Sequence, residues 1–233
     1  MAYSVTLADL KARALQRANL EGATQFITSD ELTDIVNGSI AEWCDEVRQT
    51  TWNGTYSRSS YSFTTSGNQK TYALPADFLS MISVDLFATF GAAPVAIYAF
   101  QEEQRNRFNA GPFSTGFGFS CPAYYQIQGQ NIALIPLPAG AYQVTLNYVP
   151  TAPRLTDPDD TLDSINGWEE FIVLDAAIKC LIKAGEHETI QLLEGRLSAQ
   201  RERIRAMASR RDQQTAEQVH VIANRDFFYE WEW

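Results

Sequence analysis

The sequence predicts an α+β protein: an antiparallel helical bundle built from the N- and C-terminal parts, a central antiparallel β-rich insertion and an extended C-terminal tail. Three observations lead there. Apolar residues recur at helical spacing over residues 1–50 and again over 155–211. Between them, residues 51–154 are rich in Tyr, Phe, Thr, Ser, Gly and Pro and break into short alternating runs separated by turn residues. Residues 212–233 show few signs of belonging to a core and finish in FFYEWEW, five aromatics interleaved with two glutamates.

Each element follows from its residues. Thr6-Leu-Ala-Asp9 is a capping box, and Leu7, Leu10, Ala14, Leu15 and Ala18 then recur on one helical face. Thr28-Ser-Asp-Glu31 is a second box. It opens an apolar stripe of Leu32, Ile35, Val36, Ile40, Trp43, Cys44 and Val47 that should run to about Gln49. In the middle, strands are expected near Tyr56–Thr65, Thr71–Leu74, Met81–Phe90 and Val95–Tyr98, and a short helix at Gln101–Phe108. A Gly/Phe-rich loop spans Phe113–Ser120. Ala123–Gln128, Ile132–Ile135 and Tyr142–Tyr148, joined by tight turns, read as an antiparallel meander. After the polar Asp157-Pro-Asp-Asp160 loop, Asn166 with Glu169 predicts the start of a nearly all-apolar, buried helix that Gly185 ends. A last helix is expected from about Glu188 to Ser209, with sparse apolar positions at Ile190, Leu193, Leu197, Ile204 and Met207.

Composition narrows the function. A chain of 233 residues with 45% hydrophobic content buries a core without staples. Three cysteines, Cys44, Cys121 and Cys180, lie far apart in no metal-binding spacing, and read as reduced core thiols. The N-terminal stretch lacks the form of a signal peptide, and no run approaches the ~18 apolar residues of a membrane helix, so a cytoplasmically made protein without membrane contact is expected. Net charge is −10, which argues against wrapping nucleic acid over the whole surface. Yet Arg196, Arg201, Arg203, Arg205, Arg210 and Arg211 face only one nearby acid, Glu202. That segment holds about +5 and leaves about −15 to the rest. An acidic body with one basic helix predicts charge contacts between subunits or with a partner, against the simpler reading of a solvated helix face.

No catalytic constellation is present. His187 and His220 have no partner in a known motif, and HExxH, GxSxG, GxxxxGK[ST] and GxGxxG are all absent. Asp157, Asp159, Asp160 and Asp163 form the one acid cluster, without EF-hand spacing, and Asp and Pro are ordinary turn formers. No catalytic residue, metal site or cofactor is predicted. Two other readings remain on the residues alone: a metal-dependent hydrolase using Asp157, Asp159 or Asp160, and a carbohydrate-binding or tail accessory module stacking sugars on Trp52, Tyr124 and Tyr125.

A longer pattern runs through the chain. Thr71–Phe78 reads TYALPADF, Tyr124–Pro138 reads YYQIQGQNIALIPLP and Val144–Leu155 reads VTLNYVPTAPRL, followed by the Asp-rich loop and the helix WEEFIVLDAAIKCLIK. With two helices in front and an arginine-rich helix behind, this order resembles the head-to-tail adaptor (connector) proteins of tailed bacteriophages over about residues 5–211. The resemblance implies a structural virion protein of the neck and no enzyme. It implies a homo-oligomeric, dodecameric ring beneath the portal protein. Downstream tail or neck proteins would sit on its outer face, and double-stranded DNA would pass transiently through its channel on ejection. It also implies C-terminal segments that clasp the portal or a neighbouring subunit. Phe227, Phe228, Tyr229, Trp231 and Trp233 are residue types that anchor interfaces, and alternation in YEWEW puts Tyr229, Trp231 and Trp233 on one side of an extended strand.

Overall fold

The computed structural model describes residues 3–22, 26–50, 57–87, 93–104, 122–164 and 167–211; for residues 3, 50, 104, 164 and 209–211 this covers the backbone alone. The protein is α+β, with N-terminal helices packed on C-terminal helices and a β-rich insertion between them. Two hydrophobic clusters underlie this, one helical and one within the sheet.

The helical cluster is built from α1 (Leu7–Arg17), α2 (Ser29–Thr50), α3 (Glu169–Ala184) and α4 (His187–Arg211). Both predicted capping threonines act as such: Thr6 Oγ1 accepts from the Asp9 N–H at 3.1 Å, and Thr28 Oγ1 from the Glu31 N–H at 3.3 Å. On α1, Leu7, Leu10, Ala14 and Ala18 are buried and Leu15 packs against them. On α2 the whole predicted stripe faces the core, with Ile35 partly buried.

The start of α1 has a feature the periodicity did not reveal. Residues Tyr3–Thr6 form strand β1, paired antiparallel with β9 (Thr161–Ser164) just after the Asp-rich loop. The loop's own carbonyls then meet the helix: the Leu7 N–H donates to Asp160 O at 2.9 Å and the Ala8 N–H to Pro158 O at 3.1 Å. A helix N-terminus leaves four N–H groups without intrahelical partners, and here the loop supplies acceptors for two of them.

The start of α3 departs from expectation. The helix begins at Glu169, so Glu169 occupies its first position rather than the third; Trp168 takes the cap position without a side-chain cap bond, and Asn166 lies outside the described residues. The two leading acids turn sideways to α1. Glu170 pairs with Arg13 at 2.9 Å and Arg17 at 2.8 Å, and Glu169 lies 3.5 Å from Arg13. Residues 171–178 are all buried, as a helix apolar all round requires, and Gly185 ends it with φ +77°. Ile182, by contrast, is exposed.

On α4, Ile190, Leu193, Leu197 and Ile204 are buried as predicted, but Met207 is exposed. The stripe passes instead through Gln200 and Ala208, four residues from Ile204 on either side. The Gln200 Nε2 donates to Gly167 O at 3.0 Å, so its buried amide is satisfied where α4 crosses the start of α3.

The sheet holds β2 (Ser59–Thr64), β3 (Thr71–Ala73), β4 (Phe78–Phe87), β5 (Val95–Ala99), β6 (Tyr124–Gln128), β7 (Asn131–Ile135) and β8 (Gln143–Pro150), in the order β2-β8-β4-β5-β6-β7-β3. The predicted meander is corrected in its last step. β6 and β7 form the hairpin, but β8 leaves it and inserts between β2 and β4. β5 and β6 also pair in parallel, which makes the sheet mixed. Tight turns alone suggest neighbouring strands, yet the apolar pattern decides the match: Val144, Leu146 and Tyr148 of β8 share one core face with Val84 and Leu86 of β4. The face curls into a half-barrel, so Phe63 of β2 stacks on Tyr72 of β3 from the far edge, centroids 4.8 Å apart. Of the predicted Gln101–Phe108 helix, a 3₁₀ turn at Glu102–Gln104 is described, and the rest lies outside the described residues.

Cys44 and Cys180 are buried free thiols; Cys121 lies outside the described residues. Burial pushes the Cys44 thiol from 9.0 up to about 11, since the thiolate would lose its hydration. The folded state therefore holds this proton more tightly than the unfolded one. Its contribution to stability is complete below 9.0 and is lost as pH rises towards about 11. At about pH 8 the folded protein should leave Cys44 unalkylated by iodoacetamide while the urea-unfolded chain reacts, which mass spectrometry of the peptide checks.

Candidate partner-binding surfaces

The arginine-rich helix was the sharpest charge signal in the sequence, and the structure divides it. Arg201 and Arg205 turn inward to one buried carboxylate, Glu46 on α2. Arg201 Nε lies 3.2 Å from it, and the Arg205 Nε donates to Glu46 Oε1. The Arg201 guanidinium also sits 5.6 Å above the Phe171 ring, over the flank of α3. Arg196 and Arg203 are exposed; Arg210 and Arg211 extend the backbone of α4, with side chains outside the described residues. Phe227, Phe228, Tyr229, Trp231 and Trp233 lie outside the described residues too.

Glu46 is a residue that sequence reasoning missed. Its signal was faint: an acid on α2 one position before the buried Val47 and three after Trp43. Its side chain is 9% exposed against 53% for Arg205, so the arginine keeps much of its hydration and the pair is partly screened. A double-mutant cycle of Glu46→Gln and Arg205→Gln in urea denaturation should give a coupling of about 1 kcal/mol that shrinks with added salt.

Other charges are spent in the same way, on cross-links between helices. Lys179 on α3 meets Glu42 on α2 at 2.8 Å and Asp175 at 2.6 Å. Burial pulls its ammonium down, but the bonds to Asp175 and Glu42 outweigh this and leave it above the ordinary lysine value. Lys183 holds Glu31 of α2 and lies 5.5 Å over the ring of Phe26. α3 is thus tied to α1 through Glu169 and Glu170 and to α2 through two lysines.

Three polar contacts join α2 to the chain leaving the sheet, at Asn37, Arg48 and Asp34. Asn37 on α2 treats Leu155 as a paired strand would: its Nδ2 donates to Leu155 O at 2.8 Å, and its Oδ1 accepts from the Leu155 N–H at 2.9 Å. One turn from the end of α2, Arg48 donates through Nη2 to Pro150 O at the end of β8. A groove of about 270 Å³ runs beside Asn37, floored by Gly38 and Ala41 and rimmed by the exposed Asp34–Arg154 pair at 2.9 Å.

The described residues of the alternative readings do not converge. Tyr124 and Tyr125 are neighbours on β6 and so face opposite sides of the sheet. Tyr125 packs on the sheet core, and burial raises its phenol; Tyr124 meets Phe100 edge-on at 6.4 Å. Trp52 lies outside the described residues. The Asp160 carboxylate accepts from the backbone N–H groups of Thr156 at 2.7 Å and Asp157 at 2.9 Å, which hold it below the usual carboxylate range. It closes its own loop. Among the described residues no three His, Cys, Asp or Glu side chains gather as a metal site, and no helix is long and apolar enough to cross a membrane.

The curated proteins contain no match to this chain. The sequence model of the SU10 adaptor protein family matches residues 5–222, from strand β1 through both pairs of helices and the whole sheet. The chain therefore belongs to the SU10 adaptor protein family, a family of phage head–tail adaptors and structural partners within the virion.

Proposed function

We propose that the protein forms a homo-oligomeric ring in the virion neck, binds the portal protein on one side and tail or further neck proteins on the other, and lines part of the channel through which DNA leaves. The observation behind this reading is the family match at residues 5–222, which takes in the helical cluster and the β-rich insertion together. The charges suit the task. An acidic chain offers DNA little to hold, because adhesion comes chiefly from Lys and Arg neutralising phosphates. Arg201 and Arg205 are already engaged with Glu46. The exposed Arg196 supplies a contact to a neighbour or partner. The aromatics at 227–233 supply anchors for the portal or a neighbouring subunit.

The test mixes the portal of the same phage with this protein, either full-length or truncated after Gln218, and examines the mixture by pull-down and electron-microscopy class averages. The expected result is a ring on the portal with the full chain and at least about tenfold weaker recovery of the truncated one. No association of the full chain with the portal overturns the portal assignment. Equal association of both chains removes the anchoring role of the aromatics.

A further inference from the structure

Among the described residues the half-barrel has an open side. β2 pairs through one edge with β8, Ser59 opposite Tyr148 through Thr64 opposite Gln143, and among the described residues no strand lies along its other edge. Such an edge presents a row of backbone N–H and C=O groups that can template another strand. Its two faces differ in chemistry. Tyr61 and Phe63 stand opposite Leu146 and Val144 on the core face, their rings 6.2 Å apart, and Tyr61 is still 40% exposed. Ser60, Ser62 and Thr64 are exposed on the other face, where Ser62 bonds Thr145 at 2.9 Å; Arg58, two residues before Ser60, is exposed as well. Phe63 is covered by Tyr72, but at Tyr61 the apolar face runs out to its edge unfinished, beside a row of hydroxyls and a cation.

One segment of this chain has the complementary pattern. In Tyr229-Glu-Trp-Glu-Trp233 the aromatics alternate with acids at the period of a strand. Laid along β2, its aromatics extend the Tyr61–Phe63 face while its carboxylates meet Arg58 and the hydroxyls. A one-residue slip would put acids over the core face, so the pattern also sets the register. The linker from the end of α4, residues 212–228, can reach about 55 Å when extended, enough to leave its own subunit.

We propose that Tyr229–Trp233 of one copy adds as a strand to the open edge of β2 in a second copy, with Tyr229, Trp231 and Trp233 against Tyr61 and Phe63, and Glu230 and Glu232 beside Arg58, Ser60 and Ser62. This docking rests on the ring assembly proposed above. The same pairing within one copy would cover the edge without joining anything. Strand addition draws affinity from main-chain hydrogen bonds and selectivity from alternate side chains, which suits a contact repeated between identical subunits.

The test places the photo-cross-linker p-benzoylphenylalanine at position 61 of the full chain and mixes it with ¹⁵N-labelled copies that keep Tyr61, with and without the portal. Mass spectrometry of the irradiated mixture is expected to find labelled peptides from residues 226–233 joined to position 61. Their yield should fall at least about tenfold when the labelled copy carries Trp231→Ala and Trp233→Ala. Cross-links confined to the same chain, cross-links to the portal alone, a yield unmoved by the two alanines, or no cross-link in either mixture would each overturn the docking. Portal recovery read on the same samples separates the two ideas. Portal association without these cross-links leaves the adaptor assignment standing, and cross-links without portal association leave the copy-to-copy docking standing.

Discussion

Replacing Phe171 with alanine is expected to lower the free energy of unfolding by about 3–5 kcal/mol, measured as a shift in urea midpoint at unchanged slope. Phe171 is 1% exposed, in the first turn of the most buried helix of the protein. Its loss removes a full aromatic payload and leaves a cavity that the rigid wall of α1, α2 and α4 side chains cannot close. Arg201 also rests over its ring, so the same change takes away the floor beneath the Arg201–Glu46 pair. Against the roughly 5–15 kcal/mol that hold an ordinary domain, a loss of this size leaves a small margin. Phe171→Leu, which fills more of the space, should cost clearly less. Equal losses for leucine and alanine would mean that the aromatic contact with Arg201, and not filled volume, dominates at this site.

Asn37→Leu is the second large effect, about 2–4 kcal/mol, and it should come from two backbone groups rather than from packing. The substitution keeps the size of the side chain but strips both partners from Leu155. That residue's side chain is buried in the helical cluster, while its N–H and C=O have Asn37 as their partner. Each polar group left unmet in a buried setting costs about 1–3 kcal/mol, and the adjoining groove lets water recover part of that. The amide of Leu155 should then exchange with deuterium faster than in the parent protein under native conditions. Asn37→Asp keeps the acceptor for the Leu155 N–H and loses only the donor, so it should fall between the two. A midpoint unchanged in Asn37→Leu would show that this bridge adds nothing to holding the two clusters together.

The Asn37 site bears on how the two clusters are joined. The helical cluster and the sheet each have an apolar core of their own, and the described contacts between them at Asn37 and Arg48 are polar bonds to the backbone. Such bonds fix direction as well as distance. They hold the chain leaving β8 against α2.

Much of this was legible in the residues. Thr6 and Thr28 marked two helix starts, because a hydroxyl followed by an acid three positions on serves the first free N–H groups wherever it occurs. Gly185 marked a stop, since φ +77° is easy for glycine alone. The stripe on α2 and the nearly apolar run in α3 set which faces would be buried, and the order of motifs pointed to the adaptor family. All of these are local properties, or sums of them. What tertiary structure alone decided depended on groups distant in sequence. The arginines of α4 looked like a free cationic face, yet two of them close on Glu46, more than 150 residues away, because Ile204 and Ala208 turn that side of the helix inward. The Asp-Pro run at 157–160 read as a turn, but that the carbonyls of this loop would cap α1 was not legible in it. β8 left its hairpin neighbours because Val144, Leu146 and Tyr148 matched the apolar face of β4, a pairing that turn residues do not encode. Periodicity states which side of an element seeks a core; which other element completes it is settled only when all the faces are packed at once.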